Sequence, residues 1–177
     1  SAVFMKRVIP VMLTTVAASA MPMLSFAIFA FVEDDAEKIA ELGMGLVITD
    51  HHQPSEKLPK AIAVVNPHRQ DCPSHYKALA GAGVALKLCA ALDDGNYDMV
   101  MEQYSDICAV GTIADIVPLK GENRTIVRNG LMYLKNTENF GLNYLMDSSN
   151  TDRDRLTSST VAFQIAPRIN AAGRFGS

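Results

Sequence analysis

The sequence predicts an α/β fold in which a parallel sheet is flanked by helices. Nearly continuous apolar runs, typical of strands that are buried on both faces, occur at residues 23–32 and 44–49. A segment of helical periodicity separates the two runs, and further helical segments follow after residue 80. This alternation is typical of a parallel sheet. The 177 residues are 49% hydrophobic and 20% charged, which excludes a disordered chain and suffices for a buried core.

The elements predicted for the first half of the chain surround these apolar runs. A helix over residues 33–42 carries acids in its first turn, where the helix dipole favours them, and Gly43 is a suitable residue to end it. A strand follows over residues 44–49. A second strand, over residues 61–65, ends at the turn-forming pair Asn66-Pro67.

The second half of the chain is predicted to be mainly helical. Residues 68–79 have no periodicity and indicate an irregular segment. The pair of glycines at 81 and 83 opens a helix that runs to residue 92; close packing explains these glycines better than anion binding, because a lone G-x-G is a weak signal. A turn over residues 93–96 precedes helices around residues 97–110, 124–134 and 159–165.

The first 32 residues differ from the rest in charge. Residues 8–32 are uncharged, and every acidic residue lies at or after Glu33. Three interpretations are open: a secretory signal with an A-x-A-like site at residues 18–20, a membrane helix diluted by polar residues and proline, or buried elements of the α/β domain that include a strand. The predicted organisation is an apolar leader over residues 1–32 and a partial domain over residues 33–177 that is incomplete at both ends.

Charge and cysteine content restrict the function. The chain has 16 basic and 19 acidic residues, a net charge of −3, and so lacks the general basic surface of a nucleic-acid binder; any such contact must be local. The three cysteines show no C-x-x-C spacing, which indicates reduced thiols and a cytoplasmic protein. Each cysteine alone is typical of a small buried apolar residue.

Asp50-His51-His52 is the most distinctive local motif. It directly follows a predicted buried strand, and ligands of open α/β sheets bind at the carboxyl ends of the strands. Imidazole and carboxylate together suit a divalent ion such as Mn²⁺. The alternative is two surface histidines after an ordinary strand.

Three further residues are candidates for chemistry. Asp115 is a lone acid within the apolar run 111–119, and buried acids are rare unless they are paired or bind a metal; the alternative is a cap of a helix or turn. Asn170 and Arg174 could hold a phosphate, because the arginine fork matches phosphate oxygens. The alternative there is a solvated loop.

Four stretches of the chain together resemble one family, the RecJ single-strand-specific DNA exonucleases of the DHH phosphoesterase superfamily. They are GLVITDHHQPSEKLPKAIAVVNPHRQDCPS, LAGAGVALKL, AVGTIADIVPLKGENRTIVRNGL and APRINAAGR, and they stand in family order between Glu33 and Arg174. The D-H-H and the later Asp are shared across the superfamily. The proline-rich loop, the G-T-I-A-D-I-V-P-L block and the R-I-N-A-A-G-R block are similar to RecJ specifically.

The resemblance implies a role for each candidate residue. His51 and Asp115 would bind Mn²⁺ or Mg²⁺, and Asp50 would be a metal ligand or the partner of one. His52 would lie at the scissile phosphate. Asn170 and Arg174 would hold a substrate phosphate. The implied reaction is two-metal hydrolysis of single-stranded DNA from its 5′ end, in DNA repair and recombination, without a membrane role.

The chain departs from the family pattern before Glu33. RecJ proteins carry a D-x-D-G block and a D-C-G block upstream of the D-H-H, but no acid precedes Glu33 here. The family also continues past Arg174 into a second domain, so the sequence is interpreted as truncated. Because two metal ions need several shared carboxylates, this polypeptide is predicted to be weakly active or inactive alone.

Three other functions remain open. A RecJ-like protein without catalysis would act by interaction, although it would be expected to lose the D-H-H and Asp115, and both are present. Another DHH phosphoesterase would act on short oligonucleotides or cyclic dinucleotides, against which the RecJ-type blocks argue. An exported protein would require the leader to be a true signal peptide.

Overall fold

The computed structural model describes residues 24–27 and 33–172 of the chain. These residues divide into two compact units, one that extends up to Lys77 and one that begins at Ala78. The first unit carries a parallel sheet, and the described residues of the second unit form helices joined by turns and short loops. Among the described residues, no helix is both long enough and apolar enough to cross a membrane.

The described residues of the first unit form three parallel strands and one helix. Strand β1 (Leu24–Ala27) is followed by helix α1 (Glu33–Glu41), strand β2 (Gly45–Thr49) and strand β3 (Ala63–Val65). The strand order is β1-β2-β3, so β2 is central. The predicted parallel sheet is therefore confirmed, and the described part of the apolar leader supplies one of its strands. The rest of the leader lies outside the described residues.

The core of the first unit is small. Ala36 of α1 packs with Leu46 and Ile48 of β2, and all three are at most 3% exposed. Helix α1 ends where predicted, because Gly43 adopts a positive φ of 69°, a conformation that glycine enters without steric cost. The core therefore holds the helix against the central strand.

The second unit is built from consecutive helices. They are α2 (Gly81–Leu92), α3 (Tyr97–Ala114), α4 (Gly121–Leu134) and α5 (Phe140–Ser148), then a short 3₁₀ turn (Arg153–Arg155), and finally a helical segment in three parts: α6 (Ser158–Thr160), a π-helical stretch (Val161–Ile165) and α7 (Ala166–Ala172). The turn predicted at residues 93–96 is present, with Asp94 and Gly95 at positive φ.

Helices α3 and α4 pack closely at a glycine. A Cβ atom at Gly130 would lie 2.0 Å from the backbone oxygen of Ser105 and 2.4 Å from the Cβ of Ala109. A Cβ atom at Gly83 of α2 would lie 2.6 Å from the side chain of Leu79 and 3.3 Å from that of Ile126 on α4, so this glycine is packed against side chains and not against backbone. The close-packing interpretation of that glycine is confirmed. The main core of the unit consists of Ala109, Val110, Ile113, Val127, Leu134, Leu142, Met146, Leu156, Val161 and Ile165.

Two helices of the second unit lie outside the elements predicted from the sequence. Helix α5 buries only Leu142 and Met146, while Phe140 is 86% and Tyr144 is 67% exposed, so its apolar residues do not follow one stripe. Helix α7 occupies the segment for which a solvated loop was the alternative, and that alternative is wrong for residues 166–172. The helix predicted at 97–110 continues to Ala114, and the one predicted at 124–134 begins at Gly121.

Candidate functional site

The end of strand β2 positions the Asp50-His51-His52 motif. The strand is held by burial of Leu46, Ile48 and Thr49. The backbone N–H of Asp50 donates to the carbonyl oxygen of Val65 at 3.0 Å, which extends the β2–β3 pairing by one residue. The motif therefore begins at the carboxyl end of the central strand, as the sequence predicted, and its first residue is fixed by the sheet.

The carboxylate of Asp50 organises the motif. Its Oδ1 accepts hydrogen bonds from the backbone N–H of His51 at 2.7 Å, from the backbone N–H of His52 at 3.2 Å and from Nδ1 of the His52 ring at 2.7 Å. The ring centroids of the two histidines are 4.3 Å apart, with an angle of 47° between the planes. The three side chains therefore form one compact group.

Burial and hydrogen bonding act in opposite directions on the Asp50 carboxyl. Partial burial, the largest effect, tends to raise its pKa, but the hydrogen bonds from the His52 ring and from the two backbone N–H groups together outweigh it. The pKa of Asp50 therefore lies below its ordinary value. At neutral pH this group is a carboxylate, which only accepts hydrogen bonds.

A buried asparagine supports the motif from the loop after β3. Nδ2 of Asn66 donates to the carbonyl oxygen of His52 at 2.9 Å, and Oδ1 of Asn66 accepts from the backbone N–H of His68 at 2.8 Å. Asn66 is only 3% exposed. From the sequence, Asn66 is expected only to end a strand, because a contact across 14 residues leaves no local signal.

Asp115 lies in the second unit, at the end of α3. Its backbone N–H donates to the carbonyl oxygen of Gly111 at 3.1 Å, so it continues the helical hydrogen bonding by one residue. The residue is half-buried and stands at the C-cap position of α3. Ile116 follows with a φ of 58° and is 92% exposed. A β-branched side chain rarely adopts this conformation.

Asn170 lies on α7, beside a groove of about 700 Å³ in the second unit. Residues around the end of α3, among them Ile113 and Ile116, form one wall of this groove, and Phe163 and Ala166 belong to the other. Apolar side chains predominate, so Asn170 is one of the few polar groups there. Arg174 lies outside the described residues.

The candidate metal ligands do not complete a metal site within either unit. Over the described residues of each unit, no three His, Cys, Asp or Glu side chains form a group that could hold a metal ion. Divalent metal sites of hydrolases need several carboxylate or imidazole ligands in a defined geometry. The structure brings Asp50, His51 and His52 together in the first unit. Asp115 and Asn170 belong to the second unit.

Comparison with known proteins assigns the chain to a family. The DHH family, N-terminal domain, matches residues 20–112, a stretch that includes the Asp50-His51-His52 motif. The single-stranded-DNA-specific exonuclease RecJ of Bacillus subtilis strain 168 is 44% identical over 140 residues, which are 79% of this chain and 17% of that protein. The chain thus spans about a sixth of this relative's length.

Solved structures show the same similarity. A crystal structure of exonuclease RecJ bound to manganese matches 98% of this chain and 42% of its own, with a TM-score of 0.75 and 34% identity. The structure of RecJ in complex with Mn²⁺ from Thermus thermophilus matches 97% of this chain and 25% of its own, with a TM-score of 0.72 and 34% identity. Both similarities extend beyond the first unit into the helices that carry Asp115 and Asn170.

Proposed function

Because the chain belongs to the DHH family, we propose that it contributes to the hydrolysis of phosphodiester bonds in single-stranded DNA, as part of an exonuclease of RecJ type. The observation that carries this proposal is the Asp50-His51-His52 group at the carboxyl end of β2. The resemblance of the whole chain to RecJ supports 5′-to-3′ digestion, a role in DNA repair and recombination, and action in the cytoplasm.

We assign the residues of the site as follows. His51 and Asp115 are metal ligands, and Asp50 is a ligand or the partner of one. His52 lies at the scissile phosphate, and Asn170 and Arg174 hold a substrate phosphate. RecJ relatives have been solved with manganese bound, which supports Mn²⁺ or Mg²⁺ as the cofactor of the family site.

The ligand count limits what this polypeptide does alone. The described residues of neither unit supply a complete metal-binding group, and no acidic residue precedes Glu33 in the sequence. An ion held by too few ligands neither binds tightly nor activates water efficiently. We therefore assign no catalytic step to a metal in this chain and expect it to be weakly active or inactive.

The first experiment measures the chain itself. It is incubated with 5′-phosphorylated single-stranded DNA and Mn²⁺, and released nucleotides are quantified beside a His51→Ala variant. Both are expected to give product close to background. Robust nucleotide release that His51→Ala abolishes would contradict the prediction of weak activity.

A chimera tests the assigned function. Residues 33–172 of this chain replace the matching segment of the Bacillus subtilis relative, so that the acidic motifs and the remaining domains come from that protein. The chimera is expected to degrade single-stranded DNA, and His51→Ala within it is expected to abolish degradation. His75→Ala, which alters an exposed histidine outside the motif, serves as the matched control and is expected to retain activity. A folded chimera without nuclease activity would refute the proposal.

A further inference from the structure

The side chains of Asp50 and His52 form a directional pair. Oδ1 of Asp50 and Nδ1 of His52 are 2.7 Å apart, a short distance typical of a charge-assisted hydrogen bond. The Asp50 side chain is 19% exposed and the His52 side chain is 58% exposed. The acceptor is therefore largely enclosed, while more than half of the imidazole is accessible from outside.

The chemistry of the pair determines which nitrogen carries the proton. A carboxylate has no proton to donate, so Nδ1 of His52 must be the donor in this contact. In a neutral imidazole only one nitrogen bears hydrogen, and the hydrogen bond made by one nitrogen fixes the state of the other. The contact with Asp50 therefore leaves Nε2 as the nitrogen with the lone pair.

The surrounding backbone keeps the pair from reorienting. The same Oδ1 accepts the backbone N–H groups of His51 and His52, which fixes the rotation of the carboxylate. Asp50 is attached through its own N–H to Val65, and the carbonyl oxygen of His52 accepts from Asn66. The backbones of both residues of the pair are therefore held by Val65 of β3 and by Asn66, which follows it.

From this geometry we propose that Asp50 is a positioning residue, which holds His52 in the Nδ1–H tautomer and so leaves Nε2 free to accept a proton at the substrate phosphate. The last part rests on the function proposed above, in which His52 lies at the scissile phosphate. The pairing with His52 gives Asp50 a role beside the two left open for it, because His52 is not one of the assigned metal ligands and Oδ2 of Asp50 takes no part in these hydrogen bonds. Its Oδ1 already accepts three hydrogen bonds and is occupied as the orienting group of a histidine, a role in which a carboxylate sets the tautomer without reacting itself.

Nuclear magnetic resonance of the full chain tests the proposal directly. The histidines are labelled with ¹⁵N, divalent metals are removed with a chelator, and the tautomer of each neutral ring is determined from two-bond ¹H–¹⁵N correlations. The spectra are recorded in mildly alkaline solution, and a tautomer is assigned only to rings whose nitrogen shifts show the neutral form. His52 is expected to show the Nδ1–H pattern, and Asp50→Ala is expected to lose it and to gain the Nε2–H pattern.

Gln53→Ala provides the matched control. Gln53 neighbours the motif, but its side chain contacts Nδ1 of His68 at 2.9 Å, so this variant is expected to leave the tautomer of His52 unchanged. An Nε2–H pattern for His52 in the unmodified chain would overturn the proposal, as would an unchanged tautomer in Asp50→Ala. If Asp50→Ala fails to fold, the pattern of the unmodified chain decides by itself.

The outcome is independent of nuclease activity. The tautomer is measured without DNA and without metal, so an inactive chimera would refute the proposed function and leave the role of Asp50 in setting the tautomer intact. Conversely, an active chimera combined with an Nε2–H pattern for His52 would support the function and refute the positioning role.

Discussion

Oδ1 of Asn123 accepts a hydrogen bond from the backbone N–H of Ala80 at 3.1 Å, across 43 residues of sequence. Nδ2 of the same side chain donates to the carbonyl oxygens of Ala78 at 2.6 Å and of Pro118 at 3.1 Å. Asn123 is fully buried. One amide in the first turn of α4 therefore joins the start of α2 to the turn that follows Asp115.

We expect Asn123→Ala to lower the free energy of unfolding by about 3 kcal/mol, because a fully buried amide is removed and the buried backbone N–H of Ala80 and the carbonyl oxygen of Ala78 lose their hydrogen bonds to it. Urea unfolding followed by circular dichroism measures the change. Asn136→Ala, at an exposed position after α4, is the matched control and is expected to change the stability by less than about 0.5 kcal/mol. Equal effects of the two substitutions would show that the Asn123 contacts do not stabilise the unit.

Gly130→Ala is expected to destabilise the second unit by about 3 kcal/mol or more. The new methyl group would overlap the backbone oxygen of Ser105, and backbone of a packed helix yields less readily than a flexible side chain. The melting temperature measures the effect. Gly141→Ala is the control: its Cβ would meet only the Asn139 side chain at 3.3 Å, so a change within about 1 kcal/mol is expected. A melting temperature unaltered by Gly130→Ala would contradict the close helix contact.

Cys108 is expected to make the second unit less stable in alkaline solution. Burial raises the pKa of its thiol to about 12 in the folded protein, from 9.0 in the unfolded reference. Below about pH 9 the thiol is neutral in both states. Above that pH the unfolded chain loses the thiol proton first, so the free energy of unfolding falls by roughly 1.4 kcal/mol per pH unit as the pH rises toward the pKa of the thiol in the folded protein. Denaturant unfolding at several pH values between the two pKa values measures this decrease.

The control for this pH effect is Cys108→Ala. Subtracting the pH dependence of the variant from that of the unmodified chain removes the contributions of all other titrating groups. A difference that does not change with pH would show that the thiol ionises equally in the folded and unfolded states.

Ile116→Asn is expected to raise the free energy of unfolding by about 1 kcal/mol. Asparagine tolerates the positive φ of this position better than a β-branched residue, and the 92% exposed side chain contributes little packing. Ile62→Asn is the comparison, because Ile62 is 71% exposed without a positive φ. Thermal unfolding of both variants measures the difference. A destabilisation by Ile116→Asn would show that the isoleucine packs in the groove more tightly than its exposure indicates.

The sheet and the place of the motif could be predicted from the sequence because both depend on local patterns. A buried central strand needs a continuous apolar run, and Asp50 follows that run directly. The helix that begins at Gly81 was likewise marked by its glycines. In each case the residues that determine the structure are neighbours in the chain.

The supporting contacts could not be predicted, because they join residues that are distant in sequence. Asn66 and Asn123 are ordinary turn and helix residues by pattern, and only the fold shows that each buried side chain binds backbone groups distant in sequence. The sequence predicts a helix only as far as residue 165, whereas α7 continues over Ala166–Ala172. The π-helical stretch that precedes Pro167 continues the chain into this helix.

That π-helical stretch also bears on how the length of this segment can vary. The backbone N–H of Ala166 donates to the carbonyl oxygen of Val161, five residues back, so the stretch contains one residue more than an α-helical turn would. A relative that lacks one residue between Val161 and Ile165 can therefore close the same turn with α-helical bonds and keep Asn170 beside the groove. A deletion within α7 itself would instead rotate the residues that follow it by about 100°.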